Sequence, residues 1–260
     1  MSMRFCSLGS GSEGNSLVVE AGRGASRSRV MMDCGFSIRE TEERLARSGL
    51  APNDIDAIVV THEHSDHIGG VARFARKYSI PVWLTHGTAK VLSERAIPLA
   101  LIRYVDPHEK FSVGEIEVTP YTVPHDAHEP VQFVFGDGES RLGVLTDVGT
   151  TTKHIEDSLS ACQALVLEAN HDLSMLMAGP YPHSLKQRVS GKFGHLDNAA
   201  AADLLAKLCH PGLRHVIAAH LSRQNNTREL AQAAFADVLG CAPAEVGIAG
   251  QDEGFDWREL

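Results

Sequence analysis

Within Thr61-His62-Glu63-His64-Ser65-Asp66-His67 the chain places three imidazoles and a carboxylate inside six positions, directly after the apolar run Ala57-Ile58-Val59-Val60. A strand entering such a turn aims several nitrogen and oxygen donors at one point, which builds a metal centre and not a packed core. The habit recurs three more times. His125 follows Thr122-Val123-Pro124, Asp147 follows Val144-Leu145-Thr146, and His220 follows Val216-Ile217-Ala218-Ala219. A buried His or Asp without a partner is costly, so four strands that deliver such residues at their carboxyl ends imply a shared partner. The sequence reads as that of a metalloenzyme, and imidazole with carboxylate suits zinc, manganese or iron.

Hydrophobic periodicity supplies the elements that carry these donors. Strands are expected near 3–8, 16–21, 29–32, 56–61, 82–84, 116–123, 131–135, 142–146, 164–167 and 216–219. Helices fit about 38–48, 67–78, 87–95, 151–158, 198–209 and 227–239, with Asp197 and Thr227 as N-caps of the last two. Strands cluster in hairpin-like groups between helices, and no long repeat or linker interrupts them. The pattern suits an α/β fold of two packed sheets with helices on the outer faces. With 260 residues, 43 % of them hydrophobic, the chain can bury a large core, and residues 1–260 are expected to form one domain.

Composition narrows the function classes. The net charge of −9 argues against adhesion to nucleic acid over the whole surface, though a local basic groove is compatible with it. Five scattered cysteines, with no Cys-x-x-Cys pair, suggest neither a disulfide framework nor a zinc knuckle, and most are expected to be buried as small hydrophobes. No basic flank and apolar stretch mark the amino terminus as a signal peptide, and no apolar run approaches the roughly 18 residues needed to cross a bilayer. A cytoplasmic protein is expected. Of the fourteen histidines, His86, His108, His154, His210 and His215 stand apart from the pattern and read as ordinary surface or core residues.

Thr-His-x-His-x-Asp-His after a strand, then a single His, a single Asp and a last His at strand ends, resembles the metallo-β-lactamase superfamily. That resemblance implies an αββα sandwich with a two-metal site along one edge. More narrowly, the opening Gly9-Ser10-Gly11-Ser12-Glu13-Gly14-Asn15-Ser16, Glu168-Ala169-Asn170-His171-Asp172, Gly194-His195-Leu196 and Ala219-His220-Leu221-Ser222 with Asn225-Asn226 resemble the YycJ/WalJ group of DNA exonucleases. The resemblance implies that His62, His64 and His125 hold one divalent metal, that Asp66, His67 and His220 hold a second, and that Asp147 bridges them. Such a pair lowers the pKa of a shared water and offsets charge on a phosphoryl oxygen, with Asp66 orienting the attacking hydroxide. The implied activity is a metal-dependent phosphodiesterase, a 5′-to-3′ DNA exonuclease.

A phosphodiester substrate also needs cations and a proton donor. The stretch from His183 to His195 holds Lys186, Arg188 and Lys192 and no acid, a reversal in an acidic protein. His195 is expected to open a helix as phosphate ligand or proton donor, and its surroundings resemble the phosphate-contacting His of RNase Z-type nucleases. Ser222, Arg223, Asn225 and Asn226 are the next candidates for phosphate contact, and His171 for substrate or ligand support. Ser12 and Asn15 carry a weaker expectation, while Asp126, His128 and Glu129 are expected at the rim. DNA is the expected partner, with RNA as the alternative. The competing activities are a small-ester phosphodiesterase and a thioester hydrolase of the glyoxalase type; the basic 183–195 segment distinguishes the latter. A metal-bound nucleic-acid-binding regulator is the non-enzymatic alternative.

Overall fold

Apolar side chains on both faces of Met3–Leu8, Leu17–Ala21 and Val30–Met32 commit these segments to strands covered from two sides. In a computed structural model, which describes residues 2–23, 26–93 and 97–260, they become β1 (Ser2–Gly9), β2 (Ser16–Arg23) and β3 (Ser26–Met32), an antiparallel meander. Parallel strands β4 (Ala57–Val59), β5 (Val82–Leu84) and β6 (Ile102–Tyr104) extend it. A second sheet begins with antiparallel β7 (Phe111–Val113), β8 (Ile116–Thr122), β9 (Val131–Gly136) and β10 (Arg141–Leu145). It continues in parallel through β11 (Ala164–Glu168), β12 (His215–Ala219) and β13 (Gly247–Ile248). The last strand, β14 (Phe255–Glu259), crosses back to pair antiparallel with β1. Each sheet thus has seven strands, in the orders β14-β1-β2-β3-β4-β5-β6 and β13-β12-β11-β10-β9-β8-β7.

The sheets meet through a shared apolar layer in which Met3, Phe5, Val19 and Val30 face Phe133, Phe135, Val144 and Ile217. Helices α1 (Ile38–Arg47), α2 (Ser65–Ile68), α3 (Val71–Tyr78) and α4 (His86–Ser93) belong to the first half of the chain, and Leu45, Phe74 and Leu92 among them cover the outer face of the first sheet. In the second half follow α5 (Lys153–Leu159), α6 (Leu173–Ala178), α7 (His183–Val189), α8 (Asn198–Leu208) and α9 (Arg228–Leu239). From these, Ile155, Leu204, Leu205 and Phe235 cover the second sheet. Each fully buried Leu or Phe contributes about 1.5–3 kcal/mol, so the three apolar layers hold the αββα sandwich together.

The structure differs from the periodicity in a few places. The helix expected over 67–78 breaks at Gly69-Gly70 into α2 and α3, since two consecutive glycines weaken helix continuity. That break leaves Asp66 and His67 on their own short turn. Asp197 caps α8 and Thr227 caps α9 as expected, but His195 precedes the α8 cap and does not open the helix. Strands β6, β7, β13 and β14 and helices α6 and α7 escape the periodicity because they are short and owe their place to distant partners. The expected end of a helix at 94–95 lies outside the described residues. All five cysteines are free; Cys6, Cys34 and Cys162 are buried, Cys241 is half-buried and Cys209 is exposed. Among the described residues no helix is long and apolar enough to cross a membrane.

Candidate active site

Six strands end at one edge of the sandwich with a polar residue, and three of those residues turn back on themselves. Asp33 after β3, Asp147 after β10 and His220 after β12 have φ of 58°, 52° and 55°. A left-handed conformation costs an ordinary residue about 1–3 kcal/mol and persists only where surrounding bonds fix it. Here they do. Asp147 N–H donates to Glu168 Oε1 at 3.1 Å, and His220 N–H to Ser10 Oγ at 3.0 Å. Thr61 donates its N–H and hydroxyl to the two oxygens of Asp33 at 2.9 and 2.8 Å.

The turn after β4 brings His62 and His64 against His125, which follows β8. The ring centroids stand 4.6 to 4.9 Å apart, and His64 Nδ1 lies 3.2 Å from His125 Nε2. Beside them, His67 Nε2 lies 3.4 Å from Asp66 Oδ2 and 3.0 Å from Asp147 Oδ2. His220 Nε2 lies 3.5 Å from Asp66 Oδ2 and 3.6 Å from Asp147 Oδ1. Donor atoms of His62, His64 and His125, and again of Asp66, His67 and His220, fall within 4.8 Å of one another. Asp147 sits between the groups. Seven side chains separated by up to 158 positions in sequence therefore converge at one edge.

Each imidazole is held by its outward nitrogen. His67 Nδ1 meets Asp33 Oδ2 at 2.7 Å, His220 Nδ1 meets Glu168 Oε1 at 3.1 Å, and His125 Nδ1 meets the Gly194 carbonyl at 3.1 Å. Because the Thr61 hydroxyl gives its proton to Asp33, His62 Nδ1–H is the donor in the 2.9 Å contact with Thr61 Oγ1. Fixing the outer nitrogen sets the ring and tautomer, which is how supporting carboxylates tune a metal ligand. The glycine-rich opening loop adds a further brace: Asn15 donates through Nδ2 to Asp66 Oδ2 at 3.2 Å and through its backbone N–H to Asp66 O at 2.8 Å. A Cβ on Gly35, in the turn after β3, would stand 1.8 Å from that Asp66 oxygen, so this turn packs so tightly against Asp66 only as glycine.

The inward atoms are another matter. His62 Nε2, Asp147 Oδ2 and His220 Nε2 are buried without an aligned hydrogen-bond partner, although Asp147 Oδ2 has His67 Nε2 near it. An unsatisfied buried polar atom costs about 1–3 kcal/mol, so three at one point mark a place built for something else. The charges agree. Burial would lower His67 and His220, but Asp147, Asp66 and Asp33 outweigh it at His67 and raise its pKa well above the usual imidazole value. Asp147, Asp66 and Glu168 likewise raise His220 to about 10. Asp147 is held well below the ordinary carboxylate range despite its burial, by His220 and His67. Burial and the neighbouring His67 push His62 the other way, well below its usual value. Protons on His67 and His220 thus stand where cations fit: the donor set, its unpartnered atoms and its demand for positive charge all suit divalent metal.

Residues 28–221 match the family model described as the beta-lactamase superfamily domain. The chain belongs to the β-lactamase superfamily. It is a metallo-hydrolase of that superfamily, and two curated relatives match nearly all of it. Exodeoxyribonuclease YycJ of Bacillus anthracis is 36% identical over 92% of this chain and 90% of its own length. Exodeoxyribonuclease WalJ of Streptococcus pneumoniae is 31% identical over 94% of this chain and 91% of its own. Among solved structures, the metallo-beta-lactamase fold protein YhfI of Bacillus subtilis superposes with a TM-score of 0.75 at 14% identity, over 100% of this chain and 99% of the other.

In this superfamily member a cavity of about 210 Å³ opens over the cluster, lined by Ser12, His64, Asp66, Asp126, Asp147, Leu185, Arg188, Val189, Gly194, His195 and His220. Helix α7 forms one wall. Arg188 donates through Nε to Asp126 Oδ2 at 2.6 Å, and His195 Nδ1 donates to Glu168 Oε1 at 2.8 Å. Burial would lower His195, but Glu168 and then Asp147 raise it above the usual imidazole value. Glu168 itself is held down to about 2 despite burial, chiefly by His195 and His220.

The other expected contacts lie elsewhere. His171, Ser222, Asn225 and Asn226 are buried and are not part of that cavity wall. Asn226 spends its amide on Asn198, reciprocally at 2.9 Å, and on Ala169 O at 2.8 Å. Ser222 N–H donates to Asn170 O, and Asn170 Nδ2 donates to His220 O at 2.9 Å. Arg223 is paired with Glu13 and Asp252. Asp126 stands at the rim, while His128 binds Glu63 and Glu129 accepts from Gly87 N–H at 2.7 Å. Sequence reasoning gave no role to Asp33 or Glu168. The signal existed: both follow apolar strands, as the ligands do.

Proposed function

We propose that the protein is a two-metal phosphodiesterase acting as a 5′-to-3′ DNA exonuclease. The observation that carries this reading is the meeting, over one cavity, of the His/Asp cluster with Arg188 and with His195, which lie outside the seven residues assigned here to the cations. In this reading His62, His64 and His125 hold one cation, Asp66, His67 and His220 hold a second, and Asp147 lies between them. Divalent cations bound there would supply a water of lowered pKa and would offset charge on a phosphoryl oxygen.

The chain's own residues do the rest. Asp66, kept ionised and partly open to the cavity, orients the attacking water through Oδ1 or Oδ2 while Asn15 fixes its direction. Arg188 gives Nε to Asp126 and keeps its terminal nitrogens for a non-bridging oxygen, with Ser12 lining the same cavity. His195 offers the leaving oxygen its Nε2 proton, because Glu168 holds Nδ1–H and stabilises the charged ring. His171, Ser222, Asn225 and Asn226 back the His220 loop in this reading and touch no substrate. The exodeoxyribonuclease names of YycJ and WalJ support DNA as the polymer.

The test compares 5′-labelled single- and double-stranded DNA, RNA and bis-p-nitrophenyl phosphate, after chelation and re-addition of manganese or zinc. Labelled mononucleotide should appear from DNA before internal fragments. Product from the small ester alone refutes the exonuclease reading. His195→Ala should lower kcat by about 10²- to 10⁴-fold at unchanged metal content, the usual contribution of a positioned acid. Unchanged turnover removes its role.

A further inference from the structure

Of the nine phenylalanines, six are buried and two half-buried, and Phe193 alone stands exposed, at 60%. It lies in the basic stretch between His183 and His195, one residue from Gly194, which lines the catalytic cavity. The backbone around it is fixed. Phe193 O accepts from Asp126 N–H at 3.0 Å, Gly194 N–H donates to Gly191 O at 2.9 Å, and His195 N–H donates to Val189 O at 2.8 Å. A Cβ on Gly194 would stand 2.2 Å from the carbonyl oxygens of Arg188 and Val189, so the turn closes directly onto the end of α7. The next residue back, Lys192, is exposed, and its carbonyl accepts from the Thr150 hydroxyl at 3.0 Å.

A rigid turn that holds an apolar ring in water, beside cations and a catalytic cavity, is poorly explained by folding. Stability gives no reason to leave this ring outside when every other phenylalanine is at least half covered. We propose that Phe193 is a stacking platform for the nucleobase of an unpaired nucleotide whose phosphate lies at Arg188 and His195. The proposal rests on the phosphodiesterase reading and deepens it, since it makes a single-stranded or frayed DNA end the substrate. The chemistry matches both halves of a nucleotide. Lys186, Arg188 and Lys192, with no acid between His183 and His195, attract the phosphate backbone, and the ring takes the π-face of any base without reading sequence. A paired base is already stacked in its duplex and would first have to leave it. Helix α7 and its following turn would therefore select strand ends by their freedom from pairing.

The test is equilibrium binding to the metal-loaded protein, read by fluorescence anisotropy with phosphorothioate strands that resist hydrolysis. One strand carries normal bases at its 5′ end, and a second carries tetrahydrofuran abasic residues there. Phe193→Ala should weaken binding of the normal strand by roughly 5- to 150-fold, the span of base–aromatic stacking, and leave the abasic strand unchanged. Phe193→Trp should restore the affinity, and a blunt duplex should bind the wild-type protein less well than the single strand. Equal binding of the normal strand by Phe193→Ala and wild type overturns the proposal. So does an equal loss on both strands, which would place the ring's effect on the protein and not on a base. Binding that shows the expected pattern without any cleavage of ordinary DNA would instead strike the nuclease reading alone.

Discussion

Glu168→Gln is the most demanding probe of how the site is held. Glu168 is wholly buried and accepts five hydrogen bonds: Oε1 takes His195 Nδ1, His220 Nδ1 and Asp147 N–H, and Oε2 takes Val148 N–H and Leu196 N–H, all between 2.8 and 3.1 Å. Glutamine must present an amide nitrogen to one of these sets. Facing Oε1's partners it opposes three donors, and facing Oε2's partners it opposes two, so the second orientation is the cheaper. Each buried donor left unsatisfied costs about 1–3 kcal/mol, which puts the loss at about 2–6 kcal/mol out of a typical total of about 5–15 kcal/mol. The variant also loses the charge that raises the pKa of His195 and the contact that orients His220. Loss of such a supporting carboxylate lowers metal affinity or activity by about 10- to 100-fold. Urea unfolding of the chelated proteins, titration calorimetry with manganese or zinc, and turnover of bis-p-nitrophenyl phosphate would measure the three effects separately. A midpoint within experimental error of wild type, together with unchanged metal affinity, would refute the anchoring role. Glu168→Asp is the useful control, because it keeps the charge and withdraws the reach.

Two further outcomes follow from residues on the first sheet. Asp33→Asn should lower metal affinity by about 10- to 100-fold without changing the fold as judged by circular dichroism, because Asp33 Oδ2 orients His67 Nδ1 at 2.7 Å; affinity equal to wild type would show that Thr61 alone suffices to set the ring. Glu20, with only 3% of its side chain exposed, accepts from Arg4, Arg27 and Arg29 at 2.6 to 2.7 Å, and Arg4 and Arg29 outweigh burial and hold its pKa below 4.5. A carboxylate depressed in the folded state stabilises above its unfolded pKa and loses that contribution as pH falls through the folded one. Glu20→Gln should therefore cost about 1–2 kcal/mol at pH 7, allowing for the partly exposed arginines, and the gap to wild type should close in acid below pH 4.5; a gap independent of pH would contradict it.

The candidate metal ligands were legible in the sequence because few residue types bind divalent cations, and because an apolar strand that ends in His or Asp advertises a partner beyond its own neighbourhood. That much fixed the seven convergent side chains and the layered α/β pattern. Asp33 and Glu168 carry the same local mark, after Val30-Met31-Met32 and Ala164-Leu165-Val166-Leu167, yet nothing local separates a carboxylate that faces a cation from one that steadies an imidazole. The structure separates them by contact. It also decides between polar loops that look alike in sequence: Ser12 and Arg188 reach the cavity, while Ser222, Asn225 and Asn226 turn inward behind His220. Periodicity and turn chemistry act over a few residues and determine elements and their ends. Which way an end faces depends on the register of two sheets and on bonds such as that from His220 N–H to Ser10 Oγ, 210 positions apart, and only the folded chain brings such atoms together.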